Sequence, residues 1–419
     1  MMMDAIKKKF NELYRKDPVI VLLILFLGVA SIIFLACAIV SEGKTFFWMF
    51  TSNQIFMDHF NSVVYSMYLP YTSSHAVIYP ALITIFYGMI GHCTEIFAVD
   101  GTGTLAERMQ NSMQPMMVLM VIILISIYII HFIWQKNLKD RTNFVRIEII
   151  FGLLLFSYPF LSALRWGNSI LFTIPFIMGF VTFYKSNNKS IQYIAYLMLA
   201  IATSIKLYPI LFILLIVRDR DYKHFFECLA IVLIVFVIPF AFTDGTPITM
   251  VENIIYNMGI TAGEGAKISI QDMIYSVGQY FFSTDVCFII YCVVIAIIAV
   301  MLFVTIIYNK SIDSWKILAI IGGFIILGPG ISVEYNGLYL LPALIAFIVE
   351  NKEITPKNLF YVLCFISVFI LIPEVGLVAA DFIATMRSII LLIMLVTLLY
   401  EGVKGAVYNH SDSNHEIER

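Results

Sequence analysis

Long apolar runs separated by short polar turns dominate the chain. A helix that spans a bilayer needs about 20 predominantly apolar residues, and fewer where neighbouring helices shield it. By that rule the pattern predicts an all-α, polytopic membrane protein with about twelve transmembrane helices. The predicted helices are approximately 18–40, 114–134, 147–162, 169–184, 191–205, 207–217, 225–242, 286–308, 316–330, 337–350, 359–372 and 384–400. The fifth and sixth meet at "KLYP", Lys206 to Pro209, where proline interrupts the helical hydrogen bonds.

Composition supports the membrane assignment. Apolar residues make up 61% of the chain and charged residues 13%, whereas soluble domains have roughly 45–50% and 25%. A soluble chain of 419 residues could not bury that much apolar surface. The net charge of −2 gives no sign of nucleic-acid binding, and the six cysteines show neither a disulfide framework nor metal-ligand spacing.

The distribution of Lys and Arg predicts the orientation. If the N-terminus is cytoplasmic, 20 of the 26 Lys and Arg residues lie on that side. An excess of positive charge marks the cytoplasmic side of membrane proteins. Both termini are therefore predicted to be cytoplasmic. The six cations expected on the outer side are Lys44, Arg108, Arg165, Lys206, Lys267 and Arg387.

The two longest polar segments lie on the predicted outer side. They are a first external loop, 41–113, and a second, 243–285. The first loop contains aromatic-rich apolar runs too short to span, which are typical of helices lying in the membrane interface. We therefore expect a catalytic module over 1–242 and a C-terminal transmembrane module over 243–419. The cytoplasmic loops are too short to hold a nucleotide, so a membrane-adjacent, extracytoplasmic substrate is favoured.

Three ionisable residues lie near the outer ends of the predicted helices. Asp58 follows the first helix, Arg165 lies in the turn "RWGNS", and Lys206 begins "KLYP". Arg suits bidentate phosphate binding and Lys suits a point contact. Short loops should bring the two cations together. Taken alone, Asp58 is better explained as a helix N-cap or a solvated residue. Lys206 taken alone is equally well explained as a side chain that extends to the headgroups.

Four stretches resemble a known family. "MDHFNSVVY", "YPAL", "LRWGNSILF" and "ATSIKLYPILFILLIVRDRDYK" are similar to polytopic glycosyltransferases of the GT-C fold, and most of all to glycosyltransferase family 87. The resemblance covers about residues 50–225. Many members have "YPP" in the first loop, where this chain has Tyr79-Pro80-Ala81.

The resemblance implies a hexosyltransferase, mannosyltransferase-like enzyme of cell-envelope polysaccharide synthesis. Such enzymes take a sugar from a polyprenyl-phosphate carrier and transfer it, on the outer face of the cell membrane, to a glycan or glycolipid acceptor. The first-loop Asp acts as general base, and this position matches Asp58. Arg165 and Lys206 are then expected to bind the donor phosphate. Further substrate-binding candidates are His59, Tyr79, Asn168, Tyr208, Glu334 and Tyr335.

These roles are chemically sufficient for direct displacement. One base removes the proton of the incoming hydroxyl, and cations stabilise the departing phosphate. Since phosphate leaves without protonation, the pair of carboxylates found in glycosidases is not required. No metal ligand or cofactor is assigned. The expected partners are the lipid-linked donor, the acceptor and the bilayer, with no nucleic acid.

Two other functions fit a polytopic protein that handles lipid-linked sugars. A flippase or transporter would carry midplane ionisable residues and often repeated halves, and the sequence shows neither clearly. A polymerase or ligase generally has its large external loop late in the chain, whereas here the largest loop follows the first helix. The sequence therefore favours the transferase.

Overall fold

The fold is known from a computed structural model. It describes a chain that is helical throughout, without a β-strand in the described residues. The described residues are 17–42, 55–72, 77–97, 103–140, 142, 144–261, 268–309, 311–329, 332–351, 353–372 and 377–417, without the side chains of 258–261, 377–381 and 408–417. Parts of both predicted external loops, and the cationic N-terminal segment with Lys7 to Lys9, lie outside them.

The helices follow one another with short connections. The α-helices are α1 Pro18–Val40, α2 Met57–Tyr65, α3 Ala81–Thr94, α4 Leu105–Gln110, α5 Met113–Leu138, α6 Phe144–Leu155, α7 Tyr158–Trp166, α8 Ile170–Phe183, α9 Lys189–Ile205, α10 Leu214–Arg218, α11 Tyr222–Val237, α12 Pro247–Thr261, α13 Ile270–Gly278, α14 Thr284–Tyr308, α15 Ser314–Leu327, α16 Leu341–Glu350, α17 Pro356–Phe369 and α18 Leu377–Ile417. Short 3-10 helices occupy Glu95–Phe97, Tyr208–Ile213, Ile238–Phe242 and Glu334–Leu340.

Each of the twelve predicted segments falls on a helix. Among the described residues, 5 helices are long and apolar enough to cross a membrane, or 6 if the bent pair α6 and α7 counts as one span. The five are Pro18–Val40, Met113–Leu138, Tyr222–Phe242, Thr284–Tyr308 and Phe382–Val407. Five of the other predicted segments coincide with shorter apolar helices, and 337–350 covers parts of the 3-10 helix Glu334–Leu340 and of α16. Membrane crossing is therefore supported for five or six segments, and twelve crossings remain a prediction.

The long helices expose apolar side chains where a soluble protein would bury them. Helix α1 is apolar on all sides. Nevertheless, its Ile39 is 78% exposed and its Val40 is 86% exposed. Helices that are apolar all round are buried in a large core or span a membrane. Because these side chains are not covered by protein, contact with lipid is the environment that fits them.

At one polar end of the bundle, ion pairs connect neighbouring helices and turns. Lys185 pairs with Asp219 at 2.8 Å, and Lys316 and Lys357 both pair with Glu401, at 3.4 and 2.7 Å. These residues belong to, or directly flank, the connections that the charge distribution predicts to be cytoplasmic.

The opposite polar end brings together α2, the turn between α7 and α8, the "KLYP" junction and the 3-10 helix Glu334–Leu340. The two external loops are also joined at this end. Asp244 accepts hydrogen bonds from the backbone N–H groups of Tyr71 and Thr72 at 2.9–3.2 Å. The Asn253 amide donates to the carbonyls of Tyr71 and Val77, both at 3.1 Å. The helical segments of the first loop, α2 to α4, are thereby held against the bundle, and their placement at a membrane interface remains a prediction.

Candidate active site

Asp58 lies in the first turn of α2. The helix begins after Phe56, whose backbone has φ 61° and whose N–H donates to the carbonyl of Arg165 at 2.6 Å. Phe56 occupies the N-cap position, so Asp58 is not the helix cap that the sequence left open as an alternative. A carboxylate in a first turn is favoured by the positive end of the helix dipole.

The "RWGNS" turn places the next residue of the site. Gly167 adopts the left-handed conformation with φ 62°, and α7 ends there. The Gly167 N–H donates to Leu164 and the Asn168 N–H to Ala163, each at 3.0 Å. This pattern satisfies the last carbonyls of the helix in the Schellman arrangement. It turns the chain so that the Asn168 side chain points toward α2.

Asn168 holds the Asp58 carboxylate. Its amide nitrogen donates to Asp58 Oδ2 at 2.7 Å, and its amide oxygen accepts the N–H of Ile170 at 3.0 Å. The second bond fixes the orientation of the amide, because the oxygen is already used by the backbone. Asn168 is also 1% exposed, so its side chain cannot turn away into solvent. The sequence predicted Asn168 as a substrate contact, which stays a prediction; the structure shows its amide bonded to the candidate base.

Lys206 supplies positive charge next to Asp58. It ends α9 in an extended conformation, just before the 3-10 helix that begins at Tyr208. Its Nζ lies 5.0 Å from the ring centroid of Tyr335. Burial lowers the pKa of Lys206 to about 8, although the charge of Asp58 opposes that change. Lys206 therefore remains predominantly cationic at neutral pH.

Burial also acts on Asp58. Loss of hydration raises the pKa of its carboxyl group, while the hydrogen bond from Asn168 and the charge of Lys206 act in the opposite direction. A carboxylate that is partly withdrawn from water is a stronger proton acceptor than an exposed one. The net result is a pKa of Asp58 above its ordinary value.

Tyrosines surround this pair. Tyr79 and Tyr335 both lie close enough to Asp58 for its charge to add to the effect of burial, and burial raises the pKa of both phenols. Tyr79 also lies beside Ser62 and Ser169. Tyr87 and Tyr339 complete the ring around the site, and the sequence did not single them out. The phenols stay protonated and can donate hydrogen bonds to a substrate.

His59, the residue after Asp58, is another predicted substrate-binding residue. His59 is fully buried, with its ring centroid 5.2 Å from Phe60 and 5.4 Å from Tyr87, and its two ring nitrogens have no hydrogen-bond partner in the described part of the chain. Burial lowers its pKa to about 3, so the imidazole is neutral. A contact between His59 and substrate stays a prediction.

Arg165 joins the site through its main chain. Its carbonyl binds Phe56, and its guanidinium lies 4.9 Å from the ring of Trp166. Tyr208 is 37% exposed at the next junction, and Glu334 is buried directly before Tyr335. Contacts of Arg165, Tyr208 and Glu334 with phosphate or sugar remain predictions. Within the described residues, no group of three or more His, Cys, Asp or Glu side chains could hold a metal ion.

A family comparison agrees with this arrangement of helices and polar groups. The profile of glycosyltransferase family 87 matches residues 110–327, about half of the 419 residues. The chain belongs to glycosyltransferase family 87. The match confirms the resemblance and includes Arg165, Asn168, Lys206 and Tyr208, whereas Asp58, Tyr79 and Tyr335 lie outside it. No curated protein and no solved structure matches the chain.

Proposed function

We propose that this family 87 glycosyltransferase moves a hexose from a polyprenyl-phosphate carrier to a glycan or glycolipid acceptor on the extracytoplasmic face of the membrane. The observation that carries the proposal is the Asp58 carboxylate, held by Asn168 at 2.7 Å and acted on by the charge of Lys206. It lies at the polar end of the bundle opposite the ion-paired connections.

The proposed reaction is a single displacement. The acceptor hydroxyl attacks the anomeric carbon, and the bond between that carbon and the phosphate oxygen breaks. Asp58 takes the hydroxyl proton, and the polyprenyl phosphate leaves with the electron pair of the broken bond. Charge grows on the phosphate in the transition state, where a cation stabilises it most. Lys206 supplies that charge, and Arg165 is the second candidate.

The arrangement of Asp58 supports its role as the base. Asn168 binds Oδ2, and Oδ1 accepts no hydrogen bond from any described residue. One oxygen is thus available to an incoming hydroxyl while the other is held in place. A base must lie within hydrogen-bond reach of the proton that it removes, and the tyrosines around Asp58 offer donors that could orient the sugar hydroxyls.

A lipid-linked donor suits the position of the site. Nucleotide-activated sugars are cytoplasmic, whereas the distribution of Lys and Arg predicts that this end of the bundle lies outside. In the described part of the chain, the connections at the opposite end are short turns held by ion pairs, such as that between Lys185 and Asp219. They leave no separate domain for a nucleotide.

Turnover of defined donors by the purified protein tests the proposal. The protein would be reconstituted in lipid nanodiscs and supplied in parallel with polyprenyl-phosphate hexoses and with the matching nucleotide hexoses, together with a crude glycolipid acceptor fraction. Mass spectrometry of the products should show transfer from the lipid-linked donors alone. Direct use of a nucleotide hexose in the absence of lipid carrier would refute the proposed donor class.

A further inference from the structure

A cavity of about 400 Å³ lies between the end of α5 and the start of α6. It is far from Asp58: Lys136, which lines it, has its Nζ 5.0 Å from the ring centroid of Phe183, the last residue of α8, whereas the first turn of α8 adjoins Asp58. The volume falls within the roughly 300–1,000 Å³ of small-molecule sites. The lining is half polar and half apolar: Gln135, Lys136 and Lys139, and Phe132, Phe144 and Ile147.

The two lysines of this cavity are not neutralised by the protein. Lys136 and Lys139 are both exposed and three positions apart, so they lie on one face of the helix end. Within the described part of the chain, neither forms an ion pair with a carboxylate. By contrast, Lys185, Lys316 and Lys357 at the same end of the bundle all have acidic partners.

The acidic groups nearby do not cancel this charge. Gln135 Nε2 donates to Glu148 Oε1 at 2.8 Å, and His131 Nε2 lies 2.8 Å from Glu148 Oε2. Glu148 is therefore bound by two other side chains and does not line the cavity. Asp140 follows Lys139 in the chain but is not a lining residue either. The cavity thus presents two free positive charges to a ligand.

The apolar side of the cavity faces away from the protein. Phe132 is 55% exposed and Phe144 is 66% exposed. Phe132 belongs to α5, which is long and apolar enough to cross a membrane. Exposed aromatic rings beside lysines at the end of such a helix match the boundary between headgroups and acyl chains. A small soluble anion would satisfy the lysines and leave the rings uncovered, whereas a lipid satisfies both.

We propose that this cavity binds an anionic phospholipid of the adjacent leaflet, with its headgroup phosphate at Lys136 and Lys139 and the start of its acyl chains against Phe132 and Phe144. Basic pockets between transmembrane helices on the cytoplasmic side are typical sites for anionic headgroups. The charge distribution predicts that this end is cytoplasmic. The site goes beyond the proposed transfer reaction and does not depend on it. Since a ligand that binds only the folded state stabilises it, the lipid should also raise the melting temperature.

Native mass spectrometry of the full-length protein in detergent tests the proposal. The protein would be titrated with phosphatidylglycerol and, in parallel, with phosphatidylcholine that has the same acyl chains. The first phosphatidylglycerol should bind at least about fivefold more tightly, because its net negative charge meets two lysines. Glycerol 3-phosphate, which carries the phosphate without the chains, should not displace it. Equal affinity for the two lipids would overturn the proposal, and displacement by glycerol 3-phosphate would make this a site for soluble phosphates.

Matched variants locate the charge. Lys136→Gln with Lys139→Gln should reduce the preference for phosphatidylglycerol to within about twofold and remove its effect on the melting temperature. Lys136→Arg with Lys139→Arg keeps both charges and should retain the preference. Lys189→Gln with Lys223→Gln is the control, because both lysines are exposed on other helices and do not line the cavity. Wild-type preference in the Lys136→Gln, Lys139→Gln protein would refute the site.

Photolabelling locates the lipid without any variant. The probe is phosphatidylglycerol with a diazirine near the carboxyl end of one acyl chain, added to the wild-type protein in phosphatidylcholine nanodiscs. Peptide mapping should find the label on the segments that contain Phe132 and Phe144, and unlabelled phosphatidylglycerol should compete for it. Labelling confined to other lipid-facing helices, such as α11 or α14, would contradict the assignment.

Discussion

At the residue scale, the bond between Asn168 and Asp58 divides the work between two side chains. Asn168 fixes one carboxylate oxygen and has its own orientation fixed by the Ile170 N–H. In the proposed reaction, Asp58 then needs only to accept a proton. A base that is oriented before the substrate arrives avoids the entropic cost of aligning during the reaction.

Asp58→Asn should abolish most activity while leaving the fold and donor binding intact. The amide preserves size and can still accept the hydrogen bond from Asn168, but it cannot take up the proton. General base catalysis contributes roughly 10²–10⁴-fold, so turnover should fall at least about a hundredfold. Turnover and donor binding would be measured on the same monodisperse preparation.

Two further variants serve as comparisons for the Asp58→Asn result. Lys206→Ala should weaken donor binding as well as rate, because its charge contacts the phosphate before and during the reaction. Asp285→Asn changes an exposed carboxylate at the start of α14 and should leave turnover within about twofold, as is usual for surface substitutions. Activity of Asp58→Asn within a few-fold of wild type would remove the proposed base.

The pH dependence of turnover should reveal the environment of Asp58. The base works only when deprotonated, so the rate falls as pH drops through its pKa. Burial raises that pKa above the ordinary value of about 3.9, which places the acid limb higher than for an exposed aspartate. The hydrogen bond from Asn168 lowers the pKa of Asp58, so Asn168→Ala should move the acid limb to still higher pH. Loss of a hydrogen bond to a charged group is worth about 1.5–3 kcal/mol, and the rate should fall on the order of 10- to 100-fold.

The matched control for this profile is Asn61→Ala on the same helix. Asn61 makes no hydrogen bond to the carboxylate, so its variant should keep the wild-type acid limb. An unchanged or lower acid limb in Asn168→Ala would mean that Asn168 does not stabilise the charged form of Asp58.

The sequence predicted Asp58 and Lys206 in one site, because both lie on the same predicted side of the membrane and because the resemblance to family 87 singled out Asp58. It was not sufficient to include Tyr87 and Tyr339. Tyr87 lies inside an apolar helix, so the sequence alone suggests a packing residue. Only the structure shows that this helix lies beside Asp58. Tyr339 lies inside the predicted helix 337–350 and resembles a packing residue for the same reason. Which helices meet is a property of packing, and hydropathy alone does not contain it.

At the element scale, the turn after α7 determines how α2 is seated. Gly167 has φ 62°, and a Cβ at this position would lie 3.0 Å from the Cβ of His59 and 3.2 Å from the Cα of Phe56. The first contact is with a side-chain root and the second with backbone, so neither can move without moving α2. The glycine is required both by its conformation and by this close approach.

Gly167→Ala should therefore reduce both stability and turnover. A left-handed non-glycine residue costs about 1–2 kcal/mol, and the crowding against α2 displaces Asp58 from Asn168. The melting temperature and the rate should fall together, measured by tryptophan fluorescence on heating and by hexose transfer. Gly152→Ala in α6 is the control, because its added Cβ would meet nothing within 4 Å. A Gly167→Ala protein with wild-type melting temperature and turnover would show that the turn tolerates a side chain.

At the scale of the whole molecule, the separation of the two polar ends makes the orientation testable. Cys93 lies exposed near the end of α3, in the segment that the sequence predicts to be the first external loop. A membrane-impermeant thiol reagent should label it in intact cells, while a cysteine introduced at Ser413 in the C-terminal segment should be protected. Cys93→Ser should remove the external labelling. Protection of Cys93 in intact cells together with labelling at position 413 would reverse the predicted topology.

The hydrogen bonds that Asp244 and Asn253 form with the first loop have a consequence for biosynthesis. Asp244 and Asn253 are 173 and 182 residues away from Tyr71 in the chain. The ribosome therefore releases α2, with the Asp58 carboxylate, long before it has made Asp244 and Asn253. Tyr335 is made later still. A nascent chain that has inserted only its first helices carries the proposed base, but neither Asp244 and Asn253, which hold the first loop, nor Tyr335. The hydrogen bonds that hold the first loop can therefore form only after the second loop has been made, and the surroundings of Asp58 are complete only after Tyr335 follows.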